Sequence, residues 1–282
     1  MGKRPPPRKS LGQHYLTDAN ILHKMVDLAG LSPGEPVLEI GPGPGDLTRV
    51  LLERGHPVAA VEIDERFVVD LQARYAGRPD LHLFREDAVQ ADFGAILNQA
   101  GLPVPVTAIG NFPYHVGTHL LRRLLPRGDL FRAVCALLQE EVVRRVIAAP
   151  GNGEYGYLSV YCRFFAEITA GFRVKPGSFF PPPKVRSQTV CLALRHPLHL
   201  PADEMRPFLA LVSAAFTHRR KTLLRNLCAA GFPEQWVRLV LAGLALPPDV
   251  RAEQMALPLF LELHRGLAQH QADRADSHGV PP

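Results

Sequence analysis

The sequence predicts an α/β protein with a mostly parallel sheet, helices on both faces and a small all-helical domain at the C-terminal end. Three observations carry this. Between residues 36 and 138, short apolar runs alternate with amphipathic stretches at helical spacing, the trace that parallel strands and crossover helices leave. From about residue 201 the strand signals stop and only helical periodicity remains. The chain has 282 residues, 46% of them hydrophobic, enough for a sizeable core, and it lacks an uninterrupted apolar run of the roughly 18 residues that a membrane span needs.

Taken in order, the opening MGKRPPPRKS is basic and Pro-rich. Without the apolar segment of a signal peptide, residues 1–9 are expected to form a mobile basic arm and the protein to be cytoplasmic. A helix is expected over 18–30, where Ile21, Leu22, Met25, Val26, Leu28 and Ala29 recur at helical spacing and Thr17 or Asp18 caps the start. Strands are expected over 36–40, 57–63, 81–85, 104–109 and around 133–138, with helices over 46–54 and 65–75. A Gly-rich turn at 151–156 precedes a helix over 157–167 and strands near 168–174 and 189–194. The stretches 203–217, 219–229, 233–244 and 256–269 read as helices. The expected division is a sheet domain over 10–200, a helical domain over 201–270 and a disordered tail over 271–282.

Cys135, Cys162, Cys191 and Cys228 are far apart, in apolar settings, with no CxxC pair. Reduced, mostly buried thiols are expected, and no metal. The formal net charge of +5, with Arg far outnumbering Lys, suits an acidic partner such as nucleic acid.

"VLEIGPGPG" at 37–45 puts Glu39 near the end of the first strand and Gly41, Gly43 and Gly45 in the following turn. Glycine there permits positive φ and lets a ligand approach the backbone. A dinucleotide loop would hold a pyrophosphate with backbone N–H groups, but Pro42 and Pro44 remove two donors. A cofactor without phosphate, such as S-adenosylmethionine, fits better. Glu62 ends the second strand where a carboxylate can accept from both ribose hydroxyls, and Asp87 follows the third, placed to accept from an adenine amino group.

"GNFPYH" at 110–115 ends the fourth strand beside that site. An adenine amino nitrogen is a poor nucleophile because its lone pair is delocalised into the ring, and acceptors aimed at its protons localise the pair. The Asn111 side-chain oxygen can take one proton and the carbonyl of Phe112 or Pro113 the other, with proline's fixed φ holding the turn. Tyr114 can stack on the base.

These residues, with "SLGQHYL" at 10–16, "EIGPGPGDLT" at 39–48, "FFPPPKVRS" at 179–187 and "AAFTHRRKTLLRNL" at 214–227, resemble the small-subunit ribosomal RNA adenine N6,N6-dimethyltransferases over nearly the whole chain. The resemblance implies a Rossmann-like S-adenosylmethionine-dependent methyltransferase sheet with a small helical C-terminal domain. It implies cofactor contacts from Gln13, His14, Leu16, Gly41, Gly43, Glu62, Ile63, Asp87, Ala88 and Asn111. Asn111, Pro113, Tyr114 and Phe179 become the catalytic set, with Tyr114 and Phe179 sandwiching the target adenine. His14 stands where Asn is more usual, Tyr15 for Phe and Phe112 for Leu. The implied substrate is a pair of adjacent adenines near the 3′ end of 16S ribosomal RNA, in the small subunit or its precursor. Two alternatives remain: a large-subunit RNA methyltransferase, or a non-catalytic assembly or transcription factor.

Arg219, Arg220, Lys221 and Arg225 in the C-terminal part are expected to bind RNA phosphates, joined by Arg122, Arg123, Arg144 and Arg145. Pro181 to Pro183 and Lys184 read as a stiff wall beside Phe179. A monomer is expected.

Overall fold

The computed structural model describes residues 5–8 and 12–277. In chain order the elements are β1 (Tyr15–Leu16), α1 (Ala19–Ala29), β2 (Val37–Ile40), α2 (Asp46–Glu53), β3 (Val58–Glu62), α3 (Glu65–Arg74), β4 (Leu81–Arg85), α4 (Phe93–Gln99), β5 (Val106–Asn111), α5 (Gly117–Leu124) and β6 (Phe131–Gln139). They continue with α6 (Glu140–Ile147), α7 (Tyr157–Phe165), β7 (Ala166–Val174), β8 (Phe179–Phe180), β9 (Ser187–Leu194), α8 (Ala202–Ala215), α9 (Leu223–Ala229), α10 (Glu234–Gly243) and α11 (Leu257–Ser277). The seven-stranded sheet has the order β4-β3-β2-β5-β6-β9-β7. β4 through β6 run parallel, while β9 is antiparallel to both β6 and β7.

Local chemistry explains the boundaries. α1 starts where the Asp18 side chain accepts from Asn20 N and stops at Gly30, which has φ 58°, an αL cap that glycine adopts without a Cβ penalty. Its Leu22, Met25 and Val26 are buried in the core with Val37, Leu51 and Val58, each contributing about 1.5–3 kcal/mol by burial. β2 and β3 are buried along their whole length, which is why they read as continuous apolar runs rather than alternating ones. At the β2–β5 contact, a Cβ on Gly110 would collide with the Ile40 carbonyl oxygen, so only glycine lets these two strand ends converge.

The chain forms two compact units: residues 1–143 with 165–196, and residues 144–164 with 197–282. Segment 144–164 therefore belongs with the C-terminal helices rather than with the sheet domain expected over 10–200. Within the second unit, Phe164 packs on Phe208 at 4.8 Å between ring centroids, Tyr155 Oη donates to Met255 O at 2.7 Å, and Gly151 N donates to Glu253 O at 2.7 Å. These long-range partners leave no mark on local periodicity.

Four further expectations change. Of the arm, residues 5–8 are described and are held in place, with Arg8 N donating to Gln13 Oε1 at 2.7 Å and Arg66 Nη1 to Pro6 O at 3.1 Å. Residues 1–4 and 9 lie outside the described residues. The helix expected from 219 begins at Leu223, because Thr222 caps it and accepts from Arg225 N. α11 runs on to Ser277, so the expected tail is helical as far as 277, with 278–282 outside the described residues; "QADRADS" is polar but rich in helix formers, and propagation adds one bond per residue. Finally, Cys135 and Cys191 face each other across β6 and β9, with Cα atoms 4.1 Å apart, and are joined as a disulfide at S–S 2.12 Å. Reduced thiols were expected there; the pairing register of two strands 56 residues apart is what the sequence conceals. Cys162 and Cys228 are free.

Candidate active site

The strand order reverses between β2 and β5, the switch point at which open α/β sheets bind ligands beyond their carboxyl ends. A cavity of about 260 Å³ opens there, wholly within the first unit. Four strand ends wall it with Gly41 and Gly43, Glu62 and Ile63, Asp87 and Ala88, and Asn111 with Pro113 and Tyr114; Gln13, His14 and Leu16 close it from the N-terminal side. All ten expected cofactor residues and three of the four expected catalytic residues thus surround one space.

The glycine turn is built around Glu62. Gly43 N donates to Glu62 Oε2 at 2.9 Å, and Asp64 N donates to Oε1 at 2.8 Å. A carboxylate has about four acceptor sites, so further ones remain for hydroxyl donors. Burial pushes the Glu62 carboxyl up from its ordinary range. Gly45, at φ 79°, ends the turn where any Cβ would strike the Leu71 side chain.

Two further acids border the site: Glu39, which the sequence places at a strand end without a role, and Asp64, which the sequence reading does not name. Glu39 is fully buried on the cavity wall, where it accepts from Thr48 Oγ1 at 2.7 Å. Burial pushes its carboxyl up to about 8, so it is mostly a neutral acid at neutral pH. Asp64, also buried, accepts from Gln13 Nε2 at 3.0 Å and from Arg66 Nε and Nη2 at 2.9 and 2.6 Å. The Arg66 guanidinium holds its carboxyl well below the usual carboxylate range. Gln13 is fixed on its other side by Tyr15 Oη, 2.6 Å from Gln13 Oε1. The signal for Asp64 is its place two residues after Glu62 at a strand-to-helix turn, where it also caps α3.

Asn111 has the most informative geometry. Its Nδ2 donates to His14 O at 2.8 Å, which fixes the amide orientation and leaves Oδ1 as an acceptor. Pro113 O accepts from Val116 N at 3.1 Å, whereas Phe112 O accepts from no N–H among the described residues. Phe112 itself is fully buried, its ring edge against Gly110. Tyr114 Oη is 2.5 Å from Ser187 Oγ, and its ring stacks on His14 with centroids 5.4 Å apart and planes 25° from parallel. His14 Nδ1 lies 2.7 Å from Pro181 O.

Just after β4, Asp87 Oδ1 accepts from Val89 N at 2.9 Å. Arg123 holds the following loop, donating to Ala88 O at 3.2 Å and Ala91 O at 2.7 Å while stacking over Phe93. The sequence groups it with the RNA-facing cations; the structure commits it to bracing the loop that carries Ala88 and Ala91 instead.

Of the four residues expected to be catalytic, Phe179 is the one the cavity lining does not include. It pairs with Leu16 across the β1–β8 ribbon and is buried in the hydrophobic core. The neighbouring ring, Phe180, is the exposed one. In the second unit, Arg219 donates to Glu253 Oε2 at 3.0 Å and also to Gly153 O, so it is part of that unit's framework. Arg220, Lys221 and Arg225 are exposed. Among the described residues there is no cluster of three metal-ligating side chains and no helix long and apolar enough to cross a membrane.

The model of the ribosomal RNA adenine dimethylase family matches residues 6–258. The chain belongs to this family. It is 38% identical to the ribosomal RNA small subunit methyltransferase A of Magnetococcus marinus over 91% of this chain and 90% of that one. It is 35% identical to the chloroplastic ribosomal RNA small subunit methyltransferase of Arabidopsis thaliana, over 93% of this chain and 79% of that one. Among solved structures, a dimethyladenosine transferase from Plasmodium falciparum superposes with TM-score 0.78 at 26% identity, covering 92% of this chain and 98% of that one. The 23S rRNA methyltransferase ErmE follows with TM-score 0.69 at 25% identity, covering 90% and 100%. The family's enzymatic class and its Rossmann-like methyltransferase fold are those the sequence predicts.

Proposed function

We propose that the protein dimethylates N6 of two adjacent adenines in a loop near the 3′ end of small-subunit ribosomal RNA, using S-adenosylmethionine. The observation that carries this reading is the Asn111 amide, turned by its bond to His14 O so that Oδ1 is presented as an acceptor beside the unpartnered Phe112 carbonyl. Two acceptors on one amine draw its protons toward a pyramidal geometry, which takes the lone pair out of conjugation with the ring and localises it. After one methylation the amine keeps one proton, which either acceptor can hold for a second round.

The cavity residues fit the cofactor. Glu62 offers free acceptor sites to a ribose diol, Asp87 has Oδ2 available for an adenine amino group, and Gln13 and His14 border the methionine end. The bound cofactor supplies an electrophilic sulfonium methyl group. Tyr114, with its hydroxyl anchored on Ser187, provides a ring face for the base, and the amine proton leaves to water. Arg220, Lys221 and Arg225 serve as phosphate contacts, which position an RNA without reading its sequence.

The relatives named for the small subunit support that substrate over the large one. We place the reaction in the cytoplasm, on the small subunit or its precursor during biogenesis, with the protein acting as a monomer. The test is primer extension on small- and large-subunit RNA after incubation with protein and S-adenosylmethionine, since a dimethylated adenine blocks reverse transcription. Adjacent stops on the small-subunit RNA alone are expected. Normal binding of immature subunits without methyl transfer would overturn the catalytic reading in favour of an assembly factor.

A further inference from the structure

Phe180 is 61% exposed, an unusual placement for a phenylalanine in a short paired strand. It lies opposite Tyr15 in the β1–β8 register, and opposite residues of an antiparallel pair share a face. Tyr15 and Leu16 both border the cavity; Leu16 and Phe179 also fill the hydrophobic core, so Phe180 is turned to the opposite face of the ribbon with Tyr15, exposed beside the cavity's N-terminal wall.

The strand carrying Phe180 is fixed to the catalytic loop. The next residue, Pro181, is bonded through its carbonyl to His14 Nδ1, and His14 stacks on Tyr114. The same segment exposes Lys175, Lys184 and Arg186, none of which pairs with a carboxylate among the described residues. An exposed ring flanked by unpaired cations is the composition of a single-stranded nucleic-acid platform, in which the ring stacks a base and the cations follow the backbone.

We propose that Phe180 stacks the base next to the one in the cavity, so that the second of the two adjacent adenines rests on Phe180 while the first is being methylated. The inference rests on the reading of the site as an RNA adenine methyltransferase and adds a second base position to it. The two bases must be unstacked from each other for one to enter the cavity, and Phe180 replaces the stacking that the remaining base loses. Lys184 and Arg186 hold the phosphates that join the two nucleotides.

The experiment measures kcat and KM for the first methyl transfer to unmodified small subunits, reconstituted with RNA carrying either two adjacent adenines or one adenine beside an abasic site. Phe180→Ala is expected to raise KM for the intact substrate roughly tenfold, the scale of one base–aromatic stack, with S-adenosylhomocysteine affinity unchanged and Phe180→Trp restoring KM. On the abasic substrate the wild-type protein and Phe180→Ala should be equal, because the partner of the ring is gone. Equal KM on the intact substrate, or a penalty that persists on the abasic one, overturns the inference while leaving the site reading intact. A wild-type protein that transfers no methyl group to either substrate overturns the site reading, and the inference with it.

Discussion

Glu39→Gln isolates the cost of a buried carboxyl at the centre of the sheet. Glu39 is fully buried, it accepts from Thr48 through both the hydroxyl and the backbone N–H, and Glu62, Asp46 and Tyr75 are the titratable groups that face it. Burial is the largest cause of its raised value, with Glu62 adding to it. A group whose folded pKa lies above its unfolded one binds more protons when folded, so stability falls as pH rises between the two values and levels above the higher. That window runs from the ordinary 4.5 to about 8. At 1.36 kcal/mol per pH unit it corresponds to a ceiling of about 5 kcal/mol, and sharing of the proton affinity with Glu62 makes about 2–4 kcal/mol the reasonable expectation. Glutamine keeps the shape and an oxygen for Thr48 without the charge. Urea unfolding of both proteins at intervals from about pH 5 to pH 8 should therefore show little difference at the acid end and a variant progressively more stable toward pH 8. A difference that stays constant across that range, or that favours the wild type increasingly as pH rises, would refute the assignment of Glu39 as a neutral acid.

Asn111→Ala removes the oriented acceptor and one half-buried hydrogen bond. Stability should fall by about 1 kcal/mol, while kcat for methyl transfer falls roughly 10²- to 10³-fold; activity within about fivefold of wild type would remove the amine-orienting role. Arg123→Met keeps an unbranched stem over Phe93 but deletes the donors to Ala88 O and Ala91 O. Losing such charged bonds costs about 1.5–3 kcal/mol, and calorimetry should find S-adenosylhomocysteine affinity lowered several-fold through the loosened Asp87 loop. Asp64→Asn discards the carboxylate shared by Arg66 and Gln13. Because the Asp64 value is lowered on folding, its contribution is present above the ordinary Asp range and lost as pH falls below it, so the stability gap to wild type measured by thermal unfolding should close in acid.

The strand ends were legible because buried parallel strands write continuous apolar runs and their ends write glycines and isolated acids. Gly41, Glu62 and Asn111 stand at the ends of such runs, Asp87 follows the half-buried β4 with its LHLFR alternation, and the fold needs only its β-α alternation to bring them to one edge. What escaped notice was whatever depends on partners distant in sequence. Segment 144–164 has helical and turn signals that suit either unit, and long-range contacts such as Phe164 against Phe208, Tyr155 against Met255 and Gly151 against Glu253 assign it to the second. Arg123 looks in sequence like half of a basic pair with Arg122, since nothing local shows that two carbonyls on another loop await it. Glu39 reads as one polar residue in an apolar strand, and its protonation follows only from how completely the sheet closes over it.

Phe179 and Phe180 show the limit most sharply, because adjacent residues in a strand point to opposite faces and a one-residue change of register exchanges them. A two-residue strand carries no alternation from which to read that parity. Pairing with β1 decides it: Leu16 is apolar and fits the core, so its partner Phe179 goes inward with it, and Phe180 is turned outward opposite Tyr15. Which of the two rings faces outward is therefore set by the register of a ribbon whose other strand belongs to the N-terminal segment that borders the cavity. Through Asn111 on His14 O and His14 on Pro181 O, that same segment also orients the Asn111 amide. The cavity's N-terminal edge, the Asn111 amide and the outward ring are thus positioned by one short stretch, residues 13–16, so a change in its register would disturb all three together.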